Sequence, residues 1–206
     1  MVRLAKNKLS PGWIALIVVG AIVVIGVLWF IGSYNGLVRA DEAVNEKWAN
    51  VQSAYQRRAD LIPNLLATVQ GAANFEKETQ TKIAALRSSA EAAQQEMKNA
   101  KTPLEIEAAS EKVDGTVTAY KGLNINVEAY PQLRTIESFL SFQDELAGTE
   151  NRVKVERDIF NKAVRDYNVK VRRFPTNIIA GMFGFEKKES FAADEGTDVA
   201  PKVNFG

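Results

Sequence analysis

The chain has 206 residues, with 26 Lys plus Arg against 25 Asp plus Glu, and neither cysteine nor histidine. Lacking cysteine, it has no disulfide, thiol nucleophile, thiolate metal site or lipidated-cysteine anchor; lacking histidine, it has no Ser-His or Cys-His mechanism and misses the commonest general base and metal ligand. The near balance of charge argues against a nucleic-acid partner, because phosphate binding needs a net basic face.

Residues 14–31 read IALIVVGAIVVIGVLWFI, without a charge. At ~1.5 Å per residue a helix of this length comes close to the ~30 Å hydrocarbon core of a bilayer. Trp13 before it, and Trp29 and Tyr34 at its far end, fit the aromatic belts of the two membrane interfaces. Arg3, Lys6 and Lys8 precede the run with no acid among them, which predicts a cytoplasmic amino terminus and an outside location from about Ser33 onward. A cleaved signal peptide is the competing reading; its apolar region is ~7–15 residues and ends in an A-x-A-like site, which SYNGLV does not offer. Gly12, Gly20, Gly26 and Gly32 form no GxxxG pair among themselves, so dimerisation through that motif within the apolar run is unsupported.

From Leu37 the pattern is helical. Val44, Trp48, Val51, Tyr55, Arg58, Ile62, Leu65 and Val69 recur at alternating spacings of four and three, the seam of a helix packed on other helices. Pro63 interrupts this helix and predicts a kink near Asp60 to Pro63, or a short break with Asp60 capping the second half. A second helix is expected over 74–100, with Phe75, Ile83 and Leu86 as a modest apolar stripe. Thr102 followed by Pro103, with Glu105 in the first turn, opens a third that ends at Gly122. The last long helix starts near Pro131: Phe139, Leu146, Val153, Phe160, Tyr167 and Phe174 repeat every seven residues, and Ile136, Gln143, Glu150, Arg157, Val164 and Val171 fill the companion track. The register holds across Gly148, which predicts one continuous helix to about Arg173, stopped by Pro175.

No strand pattern is present. The expected fold is all-α: a single amino-terminal transmembrane helix, then an antiparallel bundle of about four long helices. The expected boundaries are a cytoplasmic segment 1–12, a signal anchor 13–32, an extracytoplasmic bundle 33–173, a short apolar helix 174–186 and a disordered tail 187–206.

The pieces YNGLV (34–38), VNEKWANVQSAYQRRADLIPNLL (44–66), AYPQL (129–133), ENRVKVERDIFNKAVRDYNVKV (150–171) and FPTNIIAGMFGF (174–185) together resemble the LemA family of bacterial membrane proteins. They lie in order and cover nearly all of the chain outside the tail. The resemblance implies a transmembrane helix followed by an antiparallel helical bundle and implies no enzyme activity.

Two clusters stand out as candidate sites. Arg57, Arg58 and Asp60 form the densest polar group, and Arg58 falls on the apolar seam, where an unpaired charge is costly. With Glu150 and Arg157 of the late helix they form a candidate buried polar layer in which Arg58 pairs with Glu150. The alternative is that the two arginines snorkel to the bundle surface. A real layer predicts that Arg58→Met destabilises the bundle; such layers more often fix helix register than do chemistry.

The second cluster is the apolar stretch Phe174, Ile178, Ile179, Met182, Phe183 and Phe185, flanked by Arg172, Arg173, Lys187 and Lys188. It is expected to contact the membrane interface or a neighbouring subunit, with capping of its own bundle as the alternative. The pairs Tyr34–Asn35 and Tyr167–Asn168 read either as a collar at the bilayer surface or as tyrosines packing while the amides cap. Pro63 with Asn64 reads as a structural kink or as carbonyls exposed to a partner.

The expected function is structural: a single-pass protein of the bacterial inner (plasma) membrane, its bulk periplasmic or extracellular. It would act as a scaffold through self-association and contacts with other envelope proteins, without catalysis, cofactor or nucleic acid. The alternative is a binding or sensor module that takes up a small envelope ligand or regulates a partner membrane enzyme. A cavity beside the Arg58 layer would favour that alternative. An enzyme would need an Asp/Glu pair in a cleft, and no such spacing stands out.

Overall fold

A computed structural model describes residues 11–72, 75–125, 130, 133 and 137–192. Among them are five helices and no strand: α1 Pro11–Ala72, α2 Lys77–Asn99, α3 Pro103–Gly122, α4 Glu137–Arg172 and α5 Thr176–Phe183. The chain divides into two compact units, one of residues 1–43 with 166–188, the other of residues 44–165 with 189–206. The residues just after the apolar run pack with the segment around α5.

In the first unit, α1 begins with the apolar run, whose large side chains from Trp13 to Ile31 are exposed apart from half-buried Phe30. It is the one helix among the described residues long and apolar enough to cross a membrane, and therefore a candidate anchor. Past the run, Leu37 is fully buried against Ile179 and Ala180 of α5, with Phe30, Tyr34, Val171 and Phe185 packed around them.

In the second unit, α2 packs on α3, and polar contacts join α1 to α2, α3 and α4 and α3 to α4, as in a bundle. The expected seam of α1 is the face it buries: Val44, Val51, Tyr55, Ile62, Leu65 and Val69 are all inside, with Arg58 among them. Helix α1 runs through Pro63 without a break. Asp60 caps nothing; its carboxylate accepts hydrogen bonds from Gln56 (2.6 Å) and from Gln94 of α2 (2.6 Å). A neighbouring helix thus supports the turn from which proline withholds a donor.

Helix α3 starts on a full capping box: the Thr102 hydroxyl accepts from the Glu105 amide (3.3 Å), and the Glu105 carboxylate accepts from the Thr102 amide (3.2 Å). Its buried stripe is Ile106, Ala109, Val113, Val117 and Tyr120. Helix α4 passes Gly148 without interruption and buries Phe139, Val153 and Phe160 on its heptad track. The expected start of this helix near Pro131 lies outside the described residues.

The segment after α5 departs from the expected disordered tail. Phe191 is only 4% exposed, in a nest formed by Trp48, Tyr55 and Phe160. The rest of that expectation, 193–206, lies outside the described residues.

Candidate functional site

The polar layer belongs to the second unit and is built from three helices. Arg58 of α1 is 9% exposed and forms an ion pair with Asp114 of α3. Glu150, its expected partner, is exposed to solvent. The reason is register: α3 lies beside the α1 seam with Asp114 next to buried Val113 and one turn before buried Val117, so the nearer acid takes the guanidinium. Arg57 points away from the seam and pairs with Glu145 of α4, donating through Nε at 2.9 Å. Arg157 of α4 donates to Glu107 of α3 at 3.0 Å. Thus Arg57, Arg58, Asp60 and Arg157 each engage another helix, while Glu150 is not part of the layer.

The sequence reading missed the two acids that organise this layer, Glu107 and Asp114. They stand seven residues apart on α3, which gives them the same face of the helix. That spacing is legible, but only once α3 is read for a polar track beside its apolar stripe.

Tyr55 sits between the two ion pairs. Burial pushes its hydroxyl above the ordinary tyrosine value; Arg157 opposes that shift, Glu107 adds to it and Arg58 opposes it. The Nε of Arg58 is buried without a hydrogen-bond partner. The carboxylates of the layer, Asp60, Glu107, Asp114 and Glu145, each accept from a side chain of another helix.

Arg157 also reaches the segment past α5. Its guanidinium lies 4.8 Å from the centre of the Phe191 ring and donates to the Ala192 carbonyl at 3.3 Å. Asn161 holds the Phe191 backbone at both polar atoms: its Nδ2 donates to the carbonyl (3.3 Å) and its Oδ1 accepts from the amide (2.9 Å). These bonds make residues 189–192 a strap on the bundle.

An open cleft of about 570 Å³ lies between α1 and α2, with Pro63, Asn64, Arg87, Glu91, Gln94 and Gln95 on its walls. Its polar walls are partly self-satisfied, since Arg87 pairs with Glu91 at 3.1 Å and Gln94 donates to Asp60.

The apolar cluster belongs to the first unit. Ile179 and Ala180 face inward onto Leu37. Gly184 closes α5 at φ +73°, a left-handed conformation that side chains resist, and the Phe185 amide donates back to the Ala180 carbonyl at 2.9 Å. This reversal explains the FGF sequence. It lets the rings on either side of Gly184 meet Tyr34, at 4.8 Å for Phe183 and 5.9 Å for Phe185. Phe183 also meets Phe30, at 6.0 Å. Phe174, Ile178 and Met182 remain exposed.

The two Tyr–Asn pairs serve the same cluster. Tyr34 stacks as described. Tyr167 is 1% exposed, beneath the Lys188 ammonium at 5.5 Å, and Asn168 clamps the Lys188 backbone through its carbonyl (2.9 Å) and amide (3.0 Å). The amide therefore holds an extended segment rather than capping a helix. Burial raises the Tyr167 hydroxyl above its ordinary value, and Asp41 raises it further by its charge and by accepting its hydrogen bond. Lys188 pairs with that same Asp41 at 2.9 Å.

The model of the LemA family matches residues 47–205. The chain is similar to protein LemA of Metamycoplasma hominis, 26% identical over 176 residues that cover 84% of this chain and 76% of that protein. Over 65 residues it is 29% identical to magnetosome protein MamQ 2 of Paramagnetospirillum magneticum and to magnetosome protein MamQ of Magnetospirillum gryphiswaldense. That stretch covers 32% of this chain and 24% of each MamQ protein.

Proposed function

The chain belongs to the LemA family, of membrane-associated helical proteins, and on that premise we propose that it is a membrane-anchored scaffold of the bacterial cell envelope. It acts by self-association and by contacts with other envelope proteins rather than by catalysis. The amino terminus is cytoplasmic, α1 crosses the inner (plasma) membrane once, and the bulk of the chain lies on the periplasmic or extracellular side. Arg3, Lys6 and Lys8 ahead of the apolar run support this orientation.

The observation that carries the scaffold reading is the mutual pairing of the charges inside the bundle. Arg58 with Asp114, and Arg157 with Glu107, link α3 to α1 and to α4. Ion pairs placed between helices fix which faces meet and in which register. The LemA family is not a known enzyme family, which agrees with this assignment. Exposed apolar side chains on α3 and α4 of the second unit, Leu104, Leu140, Val155 and Ile159, supply surface for a further subunit.

Light scattering on the detergent-solubilised full chain tests the proposal, beside one variant lacking 1–32 and one lacking 175–206. A discrete oligomer that dissociates in one truncation supports self-assembly and identifies the segment that drives it. A monomer in all three overturns self-association. The alternative reading, a binding module, is favoured by the cleft at Pro63 and Asn64. It requires a small polar ligand whose stabilising effect on the melt disappears in Arg87→Ala.

A further inference from the structure

Helix α5 has two apolar faces, and only one of them is used. Ile179 and Ala180 are buried on Leu37, whereas Phe174, Ile178 and Met182 follow one another at four-residue spacing and are 75%, 55% and 68% exposed. That spacing puts Ile178 and Met182 in one stripe on α5, and Phe174, in the turn just before the helix, is exposed as well. A stripe of this size left in water is unfavourable by ordinary hydrophobic transfer.

The position of the stripe indicates what covers it. The buried face of α5 meets α1 between Phe30, at the end of the apolar run, and Leu37. Leu37 is six residues beyond Ile31, or ~9 Å further along the helix at 1.5 Å per residue. The headgroup zone on each side of a bilayer is of similar depth, about 5–8 Å. The cluster that carries the stripe is thus docked on α1 just past the end of the apolar run, at the depth where the hydrocarbon gives way to headgroups. Arg172, Arg173 and Lys187 flank it and are all exposed, which suits anionic headgroups. Aromatic rings gather at the same level, Phe30, Tyr34 and Phe183 among them, as they do at membrane interfaces.

We infer that α5 is a second membrane contact: a short interfacial helix that lays Phe174, Ile178 and Met182 into the outer boundary of the lipid and sets Arg172, Arg173 and Lys187 against anionic headgroups. The inference rests on α1 spanning the membrane. It adds that the chain grips the bilayer through its carboxy-terminal part as well as through its anchor, at a place fixed by the contact of Phe183 and Phe185 with Tyr34.

The absence of native cysteine makes the test clean. Single cysteines at Ile178, Met182, Val23 and Lys162 in the full chain are labelled with a polarity-sensitive fluorophore. The proteins are reconstituted into phosphatidylcholine vesicles containing a minority of phosphatidylglycerol, with bromines either high or deep on the acyl chain. The expected result is strong quenching of the Val23 probe by deep bromines. The Ile178 and Met182 probes are quenched several-fold more by shallow bromines than the Lys162 probe, and less so in the Arg172→Glu/Arg173→Glu background. Ile178 and Met182 probes that see water as the Lys162 probe does overturn the inference while leaving the anchor intact. Probes shielded from water yet unquenched by lipid also overturn it and assign the stripe to a protein partner. An unquenched Val23 probe overturns the spanning anchor and this inference with it.

Discussion

The Arg58–Asp114 pair is asymmetric, and the asymmetry predicts unequal costs for removing its two ends. The Arg58 side chain is 11% exposed and that of Asp114 50%. Truncating Asp114 to alanine strands a buried guanidinium whose Nε already lacks a partner. Breaking a fully buried pair costs about 3–5 kcal/mol, and an exposed pair contributes about 0–1 kcal/mol. With one partner inside and one half outside, about 2 kcal/mol is expected. Alanine returns roughly 0.5 kcal/mol by its better helix propensity, leaving about 1.5 kcal/mol.

Arg58→Met is the opposite case. Methionine refills the stem's volume, the unpartnered donor disappears, and Asp114 turns to water. The expected change is within about 1 kcal/mol in either direction. This revises the expectation from sequence that Arg58→Met destabilises the bundle, because that expectation supposed a partner buried on α4.

Thermal melts of the full chain in detergent, followed by far-ultraviolet circular dichroism, measure both variants. At about 2–4 °C per kcal/mol for a chain of this size, Asp114→Ala lowers the midpoint by ~3–6 °C and Arg58→Met shifts it by under ~4 °C. The double variant should melt close to Arg58→Met alone, since alanine then strands no charge. A loss in Arg58→Met equal to or larger than that in Asp114→Ala refutes the reasoning.

Three further predictions concern the strap and the apolar cluster. Phe191→Ala removes a ring that is 4% exposed and should cost about 3 kcal/mol, the low end of buried Phe→Ala substitutions because a strap outside any helix can lift locally. In a Trp13→Phe/Trp29→Phe background, Trp48 fluorescence should shift to the red; an unmoved spectrum would mean that the ring does not rest on Trp48. Gly184→Ala forces a side chain into a left-handed turn at φ +73° and should destabilise by about 1–2 kcal/mol in urea unfolding, whereas Gly148→Ala in mid-helix should be neutral or stabilising. Tyr167→Phe removes a hydrogen bond to the Asp41 carboxylate and should cost about 1–2 kcal/mol near neutral pH. Because folding raises the Tyr167 hydroxyl, its contribution is complete below the unfolded value of about 10 and is lost as the pH rises through the folded value. Urea midpoints should therefore fall less steeply above about pH 10 in the variant than in the parent, and parallel slopes would count against the assignment.

The sequence alone determined the helical class, the candidate anchor and the seam of α1, because these depend on periodicities that any helix in water or lipid must respect. Thr102 with Pro103 and Glu105 announced the start of α3 for a similarly local reason: a cap is made by residues within one turn of each other. The tertiary structure decided which partners those faces met. Arg58 lies on the seam in either reading, but its choice of Asp114 over Glu150 depends on which helix lies alongside and at what height, and no pattern within one helix encodes that. The same holds for Phe191. It sits in a stretch of small and charged residues that reads as tail, and only the nest of Trp48, Tyr55 and Phe160 with the Asn161 clamp makes it core. The apolar stretch around α5 was legible as a cluster, but the turn at Gly184, the burial of Ile179 and Ala180 and the exposure of Ile178 and Met182 came from the structure, where Leu37 and Tyr34 stand on α1. Local chemistry sets which elements form; long-range packing sets which of their side chains are left to meet a partner.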